Sequence, residues 1–190
     1  MYEVKEIYKS EIEVKKSKFI SFLVPINQFE SLKEELKKKH IKANHIVYAF
    51  RELNEFNQIV ERSSDDGEPK GAAGVPTLKV LRGKELINCA IITIRYFGGI
   101  KLGVGGMARA YAKAANSVID SANIIAYEKE SIKEFKISYK NQRAFEYNLK
   151  ELNIKDIKRE FLEDKIVYKI RASKEKLKEL ITHTSSPFEQ

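Results

Sequence analysis

The chain has a single cysteine, Cys89, among 190 residues, so no disulfide can form within it. A lone thiol in an apolar strand is by default buried and inert, and a reducing compartment is expected. No stretch approaches the ~18 uncharged apolar residues of a membrane-spanning helix. Residues 1–6 lack the apolar run of a signal peptide, which leaves a cytoplasmic protein without membrane attachment as the expectation. The three histidines, His40, His45 and His183, show no metal-ligand spacing, and neither H-E-x-x-H nor C-x-x-C occurs. No metal and no cofactor are therefore expected. The absence of G-x-x-x-x-G-K-[ST] excludes a P-loop, and Ser63 and Ser64 lack the G-x-S-x-G setting of a serine hydrolase. No internal repeat or low-complexity tract is evident, and no Pro/Gly/Ser-rich linker marks residues 128–131.

What is present is charge and apolar periodicity together. Charged residues make up 33% and hydrophobic residues 43%, and a chain of this length can bury one good core or two small ones. The formal charge of +8 and a pI near 9.3 suit nucleic acid, the ribosome or an acidic surface. They suit a lysine-rich proteome equally well, because Lys and Glu alternate along helices and form no basic tail.

Residues 2–26 read as short strands, with an apolar Phe19-Ile-Ser-Phe-Leu-Val run ended by Pro25. Asn27 is placed to cap a helix in which Phe29, Leu32 and Leu36 share one face until about His40. Two strands flank the polar residues 52–57. Residues 63–76, rich in turn formers, read as a surface loop with nothing to offer a core. A short helix over 77–81, a central strand over 87–96 and a long helix over 103–122 follow. The pattern then restarts as strand 132–138, helix 142–152, strands 154–162 and 166–172, and helix 174–182, the order of a small split-βαβ sandwich. Phe145, Leu149, Leu152, Leu177, Leu180 and Ile181 are its expected core faces. Only residues 185–190 remain for a last strand, which is short or missing. The restart divides the chain into domains at 1–128 and 131–190.

The most informative run is Arg95-Tyr-Phe-Gly-Gly-Ile-Lys-Leu-Gly-Val-Gly-Gly-Met-Ala-Arg109. It joins the central strand to the long helix. Glycine admits positive φ and lets backbone N–H groups approach a bound group, and a helix N-terminus favours an anion. The predicted binding set is Arg95, Tyr96, Gly98, Gly99, Lys101, Gly103, Gly105, Gly106 and Arg109. The cations would supply mobile positive charge, and Tyr96 or Phe97 would stack on a base. The bland alternative is a tight strand-to-helix passage with a core aromatic pair. Gly103-Val-Gly-Gly-Met-Ala fits a dinucleotide fingerprint by letters alone. Its first glycine follows the strand by several residues, and no repeated βαβ half comes after it. Among the acidic residues Glu61, Asp65, Asp66 and Glu68, the pair Asp65 and Asp66 is the weak catalytic candidate, by Mg²⁺ binding or acid–base work. Asp-Asp-Gly is also an ordinary turn.

Four separated motifs in one order resemble the YigZ/IMPACT family: Lys16-Ser-Lys-Phe-Ile; His45 with Tyr48-Ala-Phe-Arg; Ser64-Asp-Asp-Gly-Glu-Pro with Gly71-Ala-Ala-Gly-Val-Pro; and the glycine run with Arg109-Ala-Tyr. The resemblance covers the first ~125 residues. It implies an α+β fold, with a ribosomal-protein-like α/β two-layer N-terminal domain and a ferredoxin-like βαββα(β) C-terminal domain. Eukaryotic relatives carry a different N-terminal domain and act on control of translation initiation by competing for a partner of a stress kinase. For this chain the implied link is to translation or RNA in general, and no catalytic residues carry over. The expected function is a non-enzymatic translation-associated regulator that binds RNA, the ribosome or a translation-factor partner through the glycine-rich loop. The alternative is an enzyme acting on a phosphorylated or carboxylated small molecule, with Asp65 and Asp66 beside that loop. A purely protein-binding role would instead show as an exposed patch elsewhere.

Overall fold

The apolar run ahead of the glycines is the middle of a five-stranded antiparallel sheet in a computed structural model that describes residues 1–185. The chain falls into two units, Met1–Tyr127 and Glu128–Gln190. In the first, β1 (Tyr2–Glu3) is followed by β2 (Tyr8–Val14), β3 (Ser17–Pro25), α1 (Ile26–Lys39), β4 (His45–Leu53) and β5 (Ile59–Ser64). Then come α2 (Gly74–Gly83), β6 (Cys89–Tyr96), α3 (Val104–Asp120) and β7 (Ile125–Ala126). The sheet order is β2-β3-β6-β4-β5, and β1 pairs separately with β7.

Strand β6 is apolar throughout because both its faces are covered. Ile92 and Ile94 meet Phe29 and Leu36 of α1. Ile91 and Cys89, pointing the other way, meet Leu78 and Leu81 of α2 and Val118 of α3. Burying each such side chain contributes roughly 1.5–3 kcal/mol. The α+β class stands, but with helices on both faces the sheet is the middle of three layers, not one of two. Burial pushes the Cys89 thiol up to about 12, helped by Glu3 and opposed by Arg51, so it is unreactive.

Two local expectations change. Helix α1 starts at Ile26 behind Pro25, whose φ of −56° and ψ of 141° end β3 directly, and Asn27 is not its cap. The segment between β5 and α2 is partly core: Ala72 and Ala73 are fully buried against Phe19, Val47, Met107 and Tyr111.

The second unit runs β8 (Glu130–Ser138), α4 (Gln142–Glu151), β9 (Asp156–Phe161), β10 (Lys165–Ser173) and α5 (Lys174–Ser185). Its antiparallel order β8-β10-β9 is the pairing of a ferredoxin-like βαββα unit. Phe145 and Leu149 of α4 and Leu177 and Leu180 of α5 cover Ile137, Ile166, Tyr168 and Ile170. Leu152 is partly buried beside them. The expected final strand lies, from residue 186, outside the described residues.

At the end of β6 the chain passes so close to the β2–β3 turn that a Cβ on Gly98 would sit 1.9 Å from the Lys16 carbonyl oxygen and 2.5 Å from the Ser17 nitrogen. Both are backbone atoms, so neither can swing away. Gly98→Ala is expected to destabilise the N-terminal unit by about 2–3 kcal/mol, whereas Gly83→Ala, which meets nothing within 4 Å, should be neutral or stabilising. Denaturant midpoints check this, and equal midpoints for the two variants would contradict it.

Candidate anion-binding cleft

Antiparallel register fixes the frame of the site. Arg95 on β6 lies opposite Phe19 of β3 on one side and His45 of β4 on the other, so the three share the sheet face that α3 covers. Arg95 is 5% exposed, and its guanidinium carbon lies 5.7 Å from the ring centroids of both Phe19 and Phe97. A cation so placed needs a counter-charge, and Glu68 provides it from the loop after β5. Arg95 Nη1 donates to Glu68 Oε1 at 2.6 Å, and the Tyr111 hydroxyl of α3 donates to the same oxygen at 2.8 Å. Burial, together with the Glu68 charge and hydrogen bond, raises the Tyr111 hydroxyl well above the ordinary tyrosine range, so it stays a donor. Nη1 also reaches the Met107 sulfur at 3.5 Å. The buried Arg95 Nε has no hydrogen-bond partner, a loss of about 1–3 kcal/mol for an enclosed donor.

Beside this pair His45 sets its Nδ1 2.8 Å from the Asp66 carbonyl. A carbonyl only accepts, so Nδ1 carries a proton, and in the neutral tautomer this leaves Nε2 as an acceptor. Nε2 stands 3.7 Å from Glu68 Oε2.

These groups floor a cleft of about 460 Å³, walled by Phe97, Lys101, Leu102, Gly103, Val104 and Met107. The glycine loop forms its rim. Three of the loop's main-chain donors are engaged: Phe97 N–H with Asn44 Oδ1, Gly98 N–H with Ser17 Oγ, and Met107 N–H with the Gly103 carbonyl. The N–H groups of residues 99–106 have no acceptor among the described residues, and α3 opens at Gly103 without a side-chain cap. Gly99 and Gly103 hold φ of 85° and 72°, values that side-chain-bearing residues rarely adopt. Gly105 and Gly106 have no such need. A Cβ on Gly105 would meet only the Arg109 guanidinium, at 3.6 Å. These two glycines leave the helix N-terminus bare.

The predicted site residues separate accordingly. Lys101 is exposed, lines the cleft and makes no ion pair among the described residues. Arg95 is not mobile positive charge, because the buried Glu68 neutralises it. Arg109 is exposed but faces a neighbouring groove with Lys15 and Lys113. Tyr96 points to the opposite sheet face, where its hydroxyl meets His40 Nδ1 at 2.8 Å. Phe97, 46% exposed, is the aromatic in the cleft.

Asp65 and Asp66 do not face the cleft as free carboxylates. Asp65 accepts the N–H groups of Gly71, Ala73 and Gly74, thereby capping α2 from a distance. Burial would raise its carboxyl, but those three bonds outweigh it and hold it below the usual range. Asp66 accepts from Ile46 N–H. Glu61 is engaged by Arg51 and Arg82. The carboxylate that does reach the cleft is Glu68. Its place in an acidic cluster was visible in the sequence, while its burial against Arg95 depends on pairings distant along the chain.

The Impact N-terminal domain family profile matches residues 15–119. The IMPACT family member YvyE of Bacillus subtilis (strain 168) is 39% identical over 128 residues, 65% of this chain and 58% of the relative. The IMPACT family member YigZ of Escherichia coli (strain K12) is 35% identical over 112 residues, 56% of this chain and 54% of the relative. The matched part thus spans little more than half the length of either relative. A solved structure described as the crystal structure of an hypothetical protein superposes with a TM-score of 0.72 at 23% identity, over 98% of this chain and 92% of the other. That likeness shows the fold.

Asp65→Asn is expected to cost about 1.5–3 kcal/mol at neutral pH, because it replaces charge-assisted bonds and turns an amide donor toward a backbone N–H. The folded pKa of Asp65 lies below the unfolded value of ~3.9. Its stabilisation is therefore complete above that value and is lost as the pH falls through the folded one. Unfolding measured at pH 7 and again below pH 4 should show the gap between wild type and variant narrowing; a gap that does not change with pH would refute this role.

Proposed function

The chain belongs to the IMPACT family, and from that premise we propose that its N-terminal unit is a non-catalytic recognition module that binds phosphate groups of RNA, alone or in the ribosome, in the control of translation in the cytoplasm. The tie to translation comes from the family. The site chemistry rests on one observation: a run of unpartnered N–H groups at the N-terminus of α3, with exposed Lys101 beside it. Helix α3 is 17 residues long, enough for its dipole to add roughly half a positive charge at that end. A phosphate there would accept several amide bonds and a lysine ammonium, with no counter-charge to displace, since Glu68 is already committed to Arg95. Phe97 offers a stacking face at the mouth.

The enzyme reading required Asp65 and Asp66 as free carboxylates, and their backbone hydrogen bonds speak against it. No helix among the described residues is long and apolar enough to cross a membrane.

Binding of single-stranded RNA oligonucleotides is expected to weaken linearly in a log–log plot against salt. Lys101→Ala should lower the affinity and reduce the slope by about one. Binding that is absent, or that ignores salt, would overturn the proposal.

A further inference from the structure

We infer that the cleft takes a ribonucleotide unit of a single strand and distinguishes RNA from DNA through Glu68 and His45; this rests on the phosphate-binding reading above. Three chemistries meet in one cavity of about 460 Å³, a volume within the usual range for small-ligand sites. The rim provides main-chain donors and Lys101, complementary to a phosphate. The wall provides Phe97, Leu102, Val104 and Met107, complementary to the faces of a base and a sugar. The floor provides hydrogen-bond acceptors that have nothing to accept.

The floor decides between ligands. Glu68 is 7% exposed, and both hydrogen bonds to its carboxylate, from Arg95 and Tyr111, arrive at Oε1. Oε2 receives none. The nearest ring nitrogen is His45 Nε2 at 3.7 Å, beyond hydrogen-bond range. In the neutral tautomer that nitrogen is itself an acceptor, since Nδ1–H donates to the Asp66 carbonyl. Two acceptors side by side at the base of the cleft, with no hydrogen bond from within the described residues, suit a donor from the ligand that a phosphodiester anion does not itself supply. A ribose 2′-hydroxyl is a donor held within a few bonds of the neighbouring phosphate, and it is the group by which proteins tell RNA from DNA. Deoxyribose would leave Oε2 and Nε2 unpaired beneath the bound strand. Glu68 and His45 are therefore specificity-determining residues, while the amides and Lys101 supply sequence-independent affinity.

The test is a fluorescence titration of one labelled single-stranded sequence, as RNA and as 2′-deoxy DNA, into the full chain and into Glu68→Gln and His45→Ala. The wild type should prefer RNA by roughly tenfold, the worth of one satisfied buried hydrogen bond. Glu68→Gln puts an amide donor or acceptor where Oε2 was and should shrink the preference to below threefold with DNA binding retained; His45→Ala, which leaves the Arg95–Glu68 pair in place, should also reduce it. Equal wild-type affinity for the two strands, or a preference untouched by both variants, would overturn the inference while leaving phosphate recognition standing. Failure of both strands to bind would sink both readings.

Discussion

The buried pair of Arg95 and Glu68 organises everything around the cleft. With their side chains 6% and 3% exposed and 2.6 Å apart, the two charges have lost most of their hydration, and each other, the Tyr111 hydroxyl and, for Arg95, the Met107 sulfur and the Phe19 and Phe97 rings compensate. Such a pair adds little net stability, but removing one partner typically costs about 3–5 kcal/mol. Its consequence is geometric. It ties the end of the central strand to the loop behind β5, and through Tyr111 and Met107 to the first turns of α3. Those are the three elements that shape the cavity, so one ion pair sets its floor, one wall and its depth. Because the pair is electrically neutral, the net attraction for an anion falls to the rim, where Lys101 and the dipole of α3 act.

The glycines of the rim perform different tasks that the sequence presents as one run. Gly98 is required by contact with the β2–β3 turn, and Gly99 and Gly103 by their backbone angles. Gly105 and Gly106 lie inside a helix, where each costs about 1 kcal/mol relative to alanine; a Cβ on Gly106 would crowd Leu102 Cβ at 3.3 Å, whereas one on Gly105 would meet only the Arg109 guanidinium. Bare amides at a helix N-terminus are what a ligand approaching the backbone needs, and this reading accounts for Gly105, which packing does not.

Much of the fold was legible because periodicity reports burial. The unbroken apolar character of β6 reflects cover on both faces, the Phe29–Leu36 stripe places α1, and the β-α-β-β-α restart after residue 131 survives intact. What was not legible came from interactions between residues far apart in the chain. Asp65 reaches across six to nine positions to satisfy Gly71, Ala73 and Gly74. That lets a turn-rich, acidic segment enter the core, and turn composition alone reads the same segment as surface. Likewise charge counting treats Arg95, Lys101 and Arg109 as one cationic set. The structure separates them into a neutralised floor, a free rim and an adjacent groove. His45 and Glu68 sit in two separate motifs, and their meeting depends on the register of β4 on β6 and on the loop after β5, which holds His45 through the Asp66 carbonyl.

The central claim is that the amides opening α3 are free to bind an anion. Titrating ¹⁵N-labelled protein with inorganic phosphate and following each amide resonance tests it most directly. Saturable shifts concentrated at residues 99–106, with β6 and the second unit unmoved, are the expected result. Shifts spread evenly over surface lysines, or confined to the groove of Lys15, Arg109 and Lys113, would contradict the claim.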